Sequence, residues 1–297
     1  MPTEMVQGSK DKSATPTRTR VNVAAEVTLL MRDDGTIPVA FNQGDYGLSG
    51  PNARDSRLAV DSAKGTPRSI QSSGCGMCSL VSYLAAAKLR CPTYDRSHAT
   101  ISMAAAVAMT PGSFNRYLLD RIDQEAKSPR HKKELTRKIY APDGCGALLY
   151  RSPLLVTWIE ELVKLNGDIK SITFHERIDA YAPPGHDIPD LTAHLDGGNP
   201  AILGVSFSPN AGPAHQVLVV GYARAGDKVY YPILDSGFGP MQIAALLKSK
   251  NPVSLNEVRK YCVSEYRPKP YYKIVWVMPL AGLATLTELK PRSDWAG

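Results

Sequence analysis

An α+β fold, with helices gathered early in the core and an antiparallel sheet later, is what the sequence predicts, and three observations predict it. The run from Cys75 to about Lys88 is apolar over a helical length. Pro111 and Pro153 stand where proline opens a helix. From Ala201 onward the chain breaks into short apolar runs between polar turns, the pattern of strands. No segment repeats with a period of roughly 20 to 50 residues, which excludes solenoids and propellers.

Taken in order, residues 1–20 are rich in Ser, Thr, Lys and Pro and read as a flexible basic tail. Between Val21 and Phe41, two apolar runs flank Arg32-Asp33-Asp34-Gly35-Thr36, which predicts two strands around an Asp-Gly turn. Asn42 to Arg68 is Gly-, Asp-, Ser- and Pro-rich and reads as an irregular connection, so 21–68 forms an N-terminal β-hairpin extension and loop. The main domain is expected over 69–285, with a tail at 286–297. Within it, helices are expected after Cys75, at Ile101 to Met109, from Pro111 to about Ala126 and at Leu154 to Leu165. Asp143-Gly144-Cys145-Gly146 reads as a turn, Asp168 to Phe174 as a strand and Ile188 to Leu195 as a short helix. Strands follow at Ala201 to Phe207, Gln216 to Tyr222, Val229 to Leu234 and Tyr272 to Met278. Helices at Met241 to Lys248 and Leu255 to Val263 separate the last two.

Composition narrows the function classes. A chain of 297 residues, 43% hydrophobic, can build a full core. No apolar run approaches the roughly 20 residues of a membrane helix, and the polar N-terminus lacks the apolar centre of a signal peptide. The expectation is a protein made in the cytoplasm with no transmembrane segment. The formal charge of +7 favours anionic partners. The basic cluster Lys127 to Lys138 has no interleaved aromatics, however, so it reads as a solvated helix face or exposed loop, and no nucleic acid is expected. Five cysteines, an odd number, argue for free thiols. Cys75 and Cys78 have C-x-x-C spacing without a second pair to complete a zinc site, and His175, His186 and His194 lie 11 and 8 residues apart on Pro- and Gly-rich segments. No metal and no cofactor are expected.

The chemistry concentrates at Ser72-Ser73-Gly74-Cys75-Gly76-Met77-Cys78-Ser79-Leu80, which puts a thiol at the first turn of a helix. A helix N-terminus carries partial positive charge and unpaired N–H groups, so it favours a thiolate and can bind an oxyanion. Far downstream, His215 opens the apolar strand that runs to the glycine turn at Gly221, and after the polar turn Ala223 to Lys228 the next strand delivers Asp235. Two antiparallel strands joined by that turn would bring Asp235 beside His215, a carboxylate orienting an imidazole.

Cysteine, histidine, then acid is the chain order of papain-like enzymes, and the motifs resemble the bacterial C39-like cysteine peptidase group of that superfamily. Ser73-Gly74-Cys75-Gly76 resembles its S-G-C-G helix opening, Gly198-Asn199-Pro200-Ala201-Ile202 its G-x-P-[VA]-I strand, and His215 to Tyr222 its H-x-V-V-[VL]-x-G-Y strand. Asp235 stands where its acid follows a turn, and the resemblance covers roughly residues 70–240. Met77 replaces the family's proline, and Cys75-Gly76-Met77-Cys78 also resembles the C-G-S-C of papain, in which the second cysteine attacks. Cys75 is the nucleophile in the first register and Cys78 in the second. The resemblance implies a papain-like α+β fold, helical part packed on the sheet, and a Cys75–His215–Asp235 triad, with Gln71 as the oxyanion-hole amide beside the Cys75 backbone N–H. It further implies a peptidase or amidase cleaving an amide or isopeptide bond in a protein, peptide or peptidoglycan stem peptide. An effector or toxin delivered by a secretion system, and held by a cognate inhibitor, is one version; a cell-wall hydrolase is another. The alternatives are a deamidase or acyltransferase using the same thiol, and a catalytically inactive papain-like module that binds a protein or peptide.

Overall fold

The structure, a computed structural model, describes residues 24–31, 38–39, 41–49, 53–61, 67–95, 97–98, 100–141, 148–167, 172–175, 178–179, 190–206, 214–225, 228–237, 253–254, 262–263, 273–283 and 290–292. The α+β class is as expected. Helices Cys75–Ala86, Pro111–Glu125, Pro129–Ile139 and Pro153–Leu165 share one apolar core with the sheet. Among the described residues the sheet has eleven strands. Its central order is Ala24–Met31, Gly221–Ala225, Lys228–Leu234, His215–Val219, Ala201–Ser206 and Lys273–Ala281, every neighbour antiparallel.

Side-chain alternation explains why the central strands are apolar throughout. Leu203, Val205, Val217 and Val219 join Leu191 and Leu195 in one cluster, whereas Ile202 and Leu218 join the helices in the other. A strand buried on both faces has no polar side to show. The helices begin where local chemistry says they should. Thr110 caps Ser113 ahead of Pro111, and Ser128 caps His131 ahead of Pro129. The basic cluster lies on this last helix, which buries Leu135 and Ile139 and exposes Lys132, Lys133, Arg137 and Lys138.

Several elements differ from the sequence expectation. Residues 101–109 are not helical: Thr100–Ala108 is a strand paired with Arg90–Asp95. Alanine-rich composition favours a helix locally, but the chain reverses just before this segment. Lys88 sits at φ 56, and Asp95 accepts from the Ser97 N–H at 2.9 Å and so closes a turn between the two strands. The pairing overrides the propensity. Ala24–Met31 does not pair with Pro38, Val39 or Phe41, which are irregular; it pairs with Gly221–Ala225 in the main sheet. Gly221 is accordingly a strand residue and not a turn. A Cβ there would stand 2.2 Å from the Thr28 carbonyl oxygen, so glycine permits the close approach. Cys262–Val263, expected to end a helix, is a strand against Tyr231–Pro232. Lys290–Arg292, in the expected tail, pairs with Leu29–Met31. The tail 1–20, the turn at 143–146 and the helix at 241–248 lie outside the described residues. No described helix is long and apolar enough to cross a membrane.

Candidate active site

Cys75 is the first residue of its helix, with Gly74 before it and no side-chain cap on the helix start. The first-turn N–H groups therefore have no side-chain oxygen from the cap position, unlike those after Thr110 or Ser128. The helix packs against the His215 strand, to which Ser79 ties it: its hydroxyl bonds the Cys75 carbonyl at 3.0 Å and the Gln216 carbonyl at 3.4 Å. Beside Gly76, the Tyr150 hydroxyl donates to Gln216 Oε1 at 2.6 Å in full burial. A Cβ on Gly76 would meet those two oxygens at 2.0 and 2.1 Å. The helix start, the Tyr150 turn and the His215 strand are thus held in one contact.

The acid arrives as the strand pairing dictates. Ile233 lies across from Val219 and Leu234 from Leu218, which runs the chain out to Asp235 next to His215. His215 Nε2 and Asp235 Oδ1 are 2.8 Å apart, and the same oxygen accepts the Gly237 N–H at 2.8 Å. Both side chains are buried. The Cys75 thiol lies close enough to the imidazole to help raise its pKa. Because Nε2–H is given to the carboxylate, Nδ1 is the ring nitrogen left for the thiol.

Burial is the largest single influence on His215 and pulls its pKa down. The hydrogen bond to Asp235, the Cys75 thiol close by and the negative charge of both outweigh it and push the value up to about 9. A histidine pKa raised on folding stabilises the fold fully below its ordinary value of 6.5, and this contribution drains away as pH rises through about 9. Urea-unfolding free energies should therefore decline between those two pH values, by on the order of 3 kcal/mol at most. The same measurement on His215→Gln should be flat in that window; a flat curve for the unmodified protein would contradict a buried imidazolium.

Of the four residues singled out in the sequence, Cys75, His215 and Asp235 come together. Gln71 lies on the short helix Ile70–Ser73, is exposed, and donates its amide to the Gly44 carbonyl at 3.3 Å. Cys78, the alternative nucleophile, hydrogen-bonds the Ser236 hydroxyl, and burial foremost, then the charge of Cys75, holds its thiol strongly protonated.

Sequence reading missed the group that links these parts. Gln43 is buried; its amide donates to the Gln71 carbonyl at 2.8 Å, its Oε1 accepts the Ser236 hydroxyl at 3.2 Å, and its backbone N–H bonds the Ser236 carbonyl at 2.9 Å. It clamps the turn after Asp235 onto the segment leading to Cys75. The available signal was a glutamine in the Asn42-Gln43-Gly44-Asp45 turn of a segment otherwise read as a loop. Nothing local announced its partner 193 residues away.

Comparison with family models, with curated proteins and with solved structures finds no match to this chain.

Proposed function

We propose that the chain is a papain-like cysteine hydrolase that cleaves an amide or isopeptide bond in a peptide, a protein or a peptidoglycan stem peptide. The observation that carries this reading is the buried relay from Cys75 through His215 to Asp235, set at the uncapped start of a helix. His215 takes the thiol proton, the Cys75 thiolate adds to the carbonyl carbon, and the imidazolium protonates the leaving nitrogen as the C–N bond breaks. Water then hydrolyses the thioester, with His215 as base. Asp235 keeps the ring oriented and its positive charge favourable. The first-turn N–H groups face the developing oxyanion, each good donor being worth about 3 to 4 kcal/mol in the transition state. The Gln71 amide is proposed as a further donor, and its engagement by Gly44 makes it one that must swing to act.

Cys75 is favoured over Cys78 because Cys75 lies beside the imidazole while Cys78 bonds Ser236. The test is release of new amino groups from a mixed peptide library and from purified peptidoglycan. Cys75→Ala should lower the rate by about 10⁴-fold or more, and Cys78→Ala should stay within about tenfold of the unmodified protein. The reverse ranking would move the nucleophile to Cys78. Transfer of the acyl group to an added amine in place of water would make the protein an acyltransferase. No turnover, with the fold intact, would leave the silent binding module.

A further inference from the structure

Nothing in the hydrolytic reading calls for a second thiol, yet Cys78 lies one helical turn beyond Cys75 with its own buried partner. An α-helix of rise 1.5 Å and radius about 2.3 Å puts Cα atoms three residues apart at about 5 Å, inside the roughly 4.4 to 6.8 Å that disulfides span. The side chains of residues three apart also share one face of the helix. Cys75 is the first helical residue, so its own N–H is outside the intrahelical ladder, while its carbonyl stays held by the Ser79 hydroxyl at 3.0 Å. Cys78 donates its N–H to the Gly74 carbonyl at 2.9 Å, and glycine there leaves that joint without a side chain.

We propose that Cys75 and Cys78 are an oxidative modification site, a dithiol that hydrogen peroxide closes to an intrahelical disulfide and that a dithiol reductant reopens. The proposal rests on the reading of Cys75 as the reactive thiol. In the first step the Cys75 thiolate attacks one peroxide oxygen, the O–O bond breaks, and the departing hydroxide takes a proton from the His215 imidazolium to leave as water. Cys75 is now a sulfenic acid. In the second step the Cys78 sulfur displaces the sulfenic hydroxyl, which leaves as water with the Cys78 thiol proton. In sum two thiols lose two electrons to one peroxide, and two waters form. Peroxide is small enough for a thiol whose residue is only 4% exposed. The disulfide takes Cys75 away from His215 and Cys78 away from Ser236, so the nucleophile is silenced and shielded from irreversible oxidation in the same event.

Trypsin cuts after Arg68 and Lys88, so one peptide, 69–88, carries both sulfurs and no other cysteine. The full-length protein would be reduced, exposed to hydrogen peroxide, blocked with N-ethylmaleimide and digested. The expected product is that peptide lighter by two hydrogens and unlabelled, with two maleimides regained after dithiothreitol. In Cys78→Ser the same peptide should gain two or three oxygens on Cys75 that dithiothreitol does not remove, with the thermal midpoint measured to show that the variant is folded. Oxygen on Cys75 of the unmodified protein while Cys78 still takes maleimide would overturn the proposal, and so would a peptide left unchanged. The readout is sulfur and not turnover. A disulfide in a protein that cleaves nothing sinks the hydrolase and keeps the switch; cleavage with a peroxidised, unbridged Cys75 does the opposite.

Discussion

Replacing His215 with alanine will slow the alkylation of Cys75 by iodoacetamide at pH 6 by about 10²-fold or more, the lower end of what a positioned acid–base group contributes. Only the thiolate reacts, and at that pH an unassisted thiol is almost wholly protonated. His215 supplies a nearby positive charge because Asp235 and Cys75 keep its proton in place up to about pH 9. Mass spectrometry of each cysteine gives the internal control. Burial pushes Cys91 up to about 12 and holds Cys78 strongly protonated, so neither should label below pH 7 in either protein. Asp235→Asn retains an oxygen to accept Nε2–H but loses the charge, and should fall between the two. Equal rates with and without His215 would remove the relay from the argument. Fast labelling of Cys78 in place of Cys75 would shift the site by three residues.

The second large effect is on the fold. Gly76→Ala places a methyl group 2.0 Å from the Tyr150 hydroxyl and 2.1 Å from Gln216 Oε1, where all three elements are buried. Overpacking of this kind costs roughly 1 to 3 kcal/mol, and forcing the two oxygens apart takes the buried Tyr150 hydroxyl away from its acceptor at a further cost of about 1 to 3 kcal/mol. A loss of about 3 kcal/mol or more in urea-unfolding free energy is expected. The double variant with Tyr150→Phe removes the nearer oxygen and should regain part of it. A change below about 0.5 kcal/mol would mean that the helix start is looser than the contact implies.

What could be read in the sequence was whatever the chain states locally. Pro111 and Pro153 at helix starts, the helix after Gly74, and the His215 and Asp235 strands all follow from residues within a few positions of one another. The errors fall where distant chain decides. The segment 101–109 has helical composition and is a strand because Arg90–Asp95 is turned back onto it. Ala24–Met31 has strand composition, but its partner is Gly221–Ala225 and not its own neighbour. Gln43 carried no chemical signature at all, since its meaning lies in Ser236 and Gln71. Fold class and the Cys75, His215 and Asp235 positions are short-range information; the Gln43 clamp beside them is not.

The sheet also sets an order of events in time. Leu29 pairs with both Gly221 and Arg292, and Ala24 with Ser254, so its closure waits on segments made long after it. Pairings this far apart in the chain form slowly. During synthesis the Cys75 helix emerges while the strands at 201–206, 215–219 and 228–234 do not yet exist, and the thiol then has neither imidazole nor carboxylate beside it. The surroundings of the cysteine are therefore supplied by strands made after it. A fragment cut before Ala201 lacks the His215 and Asp235 strands, so its Cys75 is expected to alkylate no faster than an ordinary thiol.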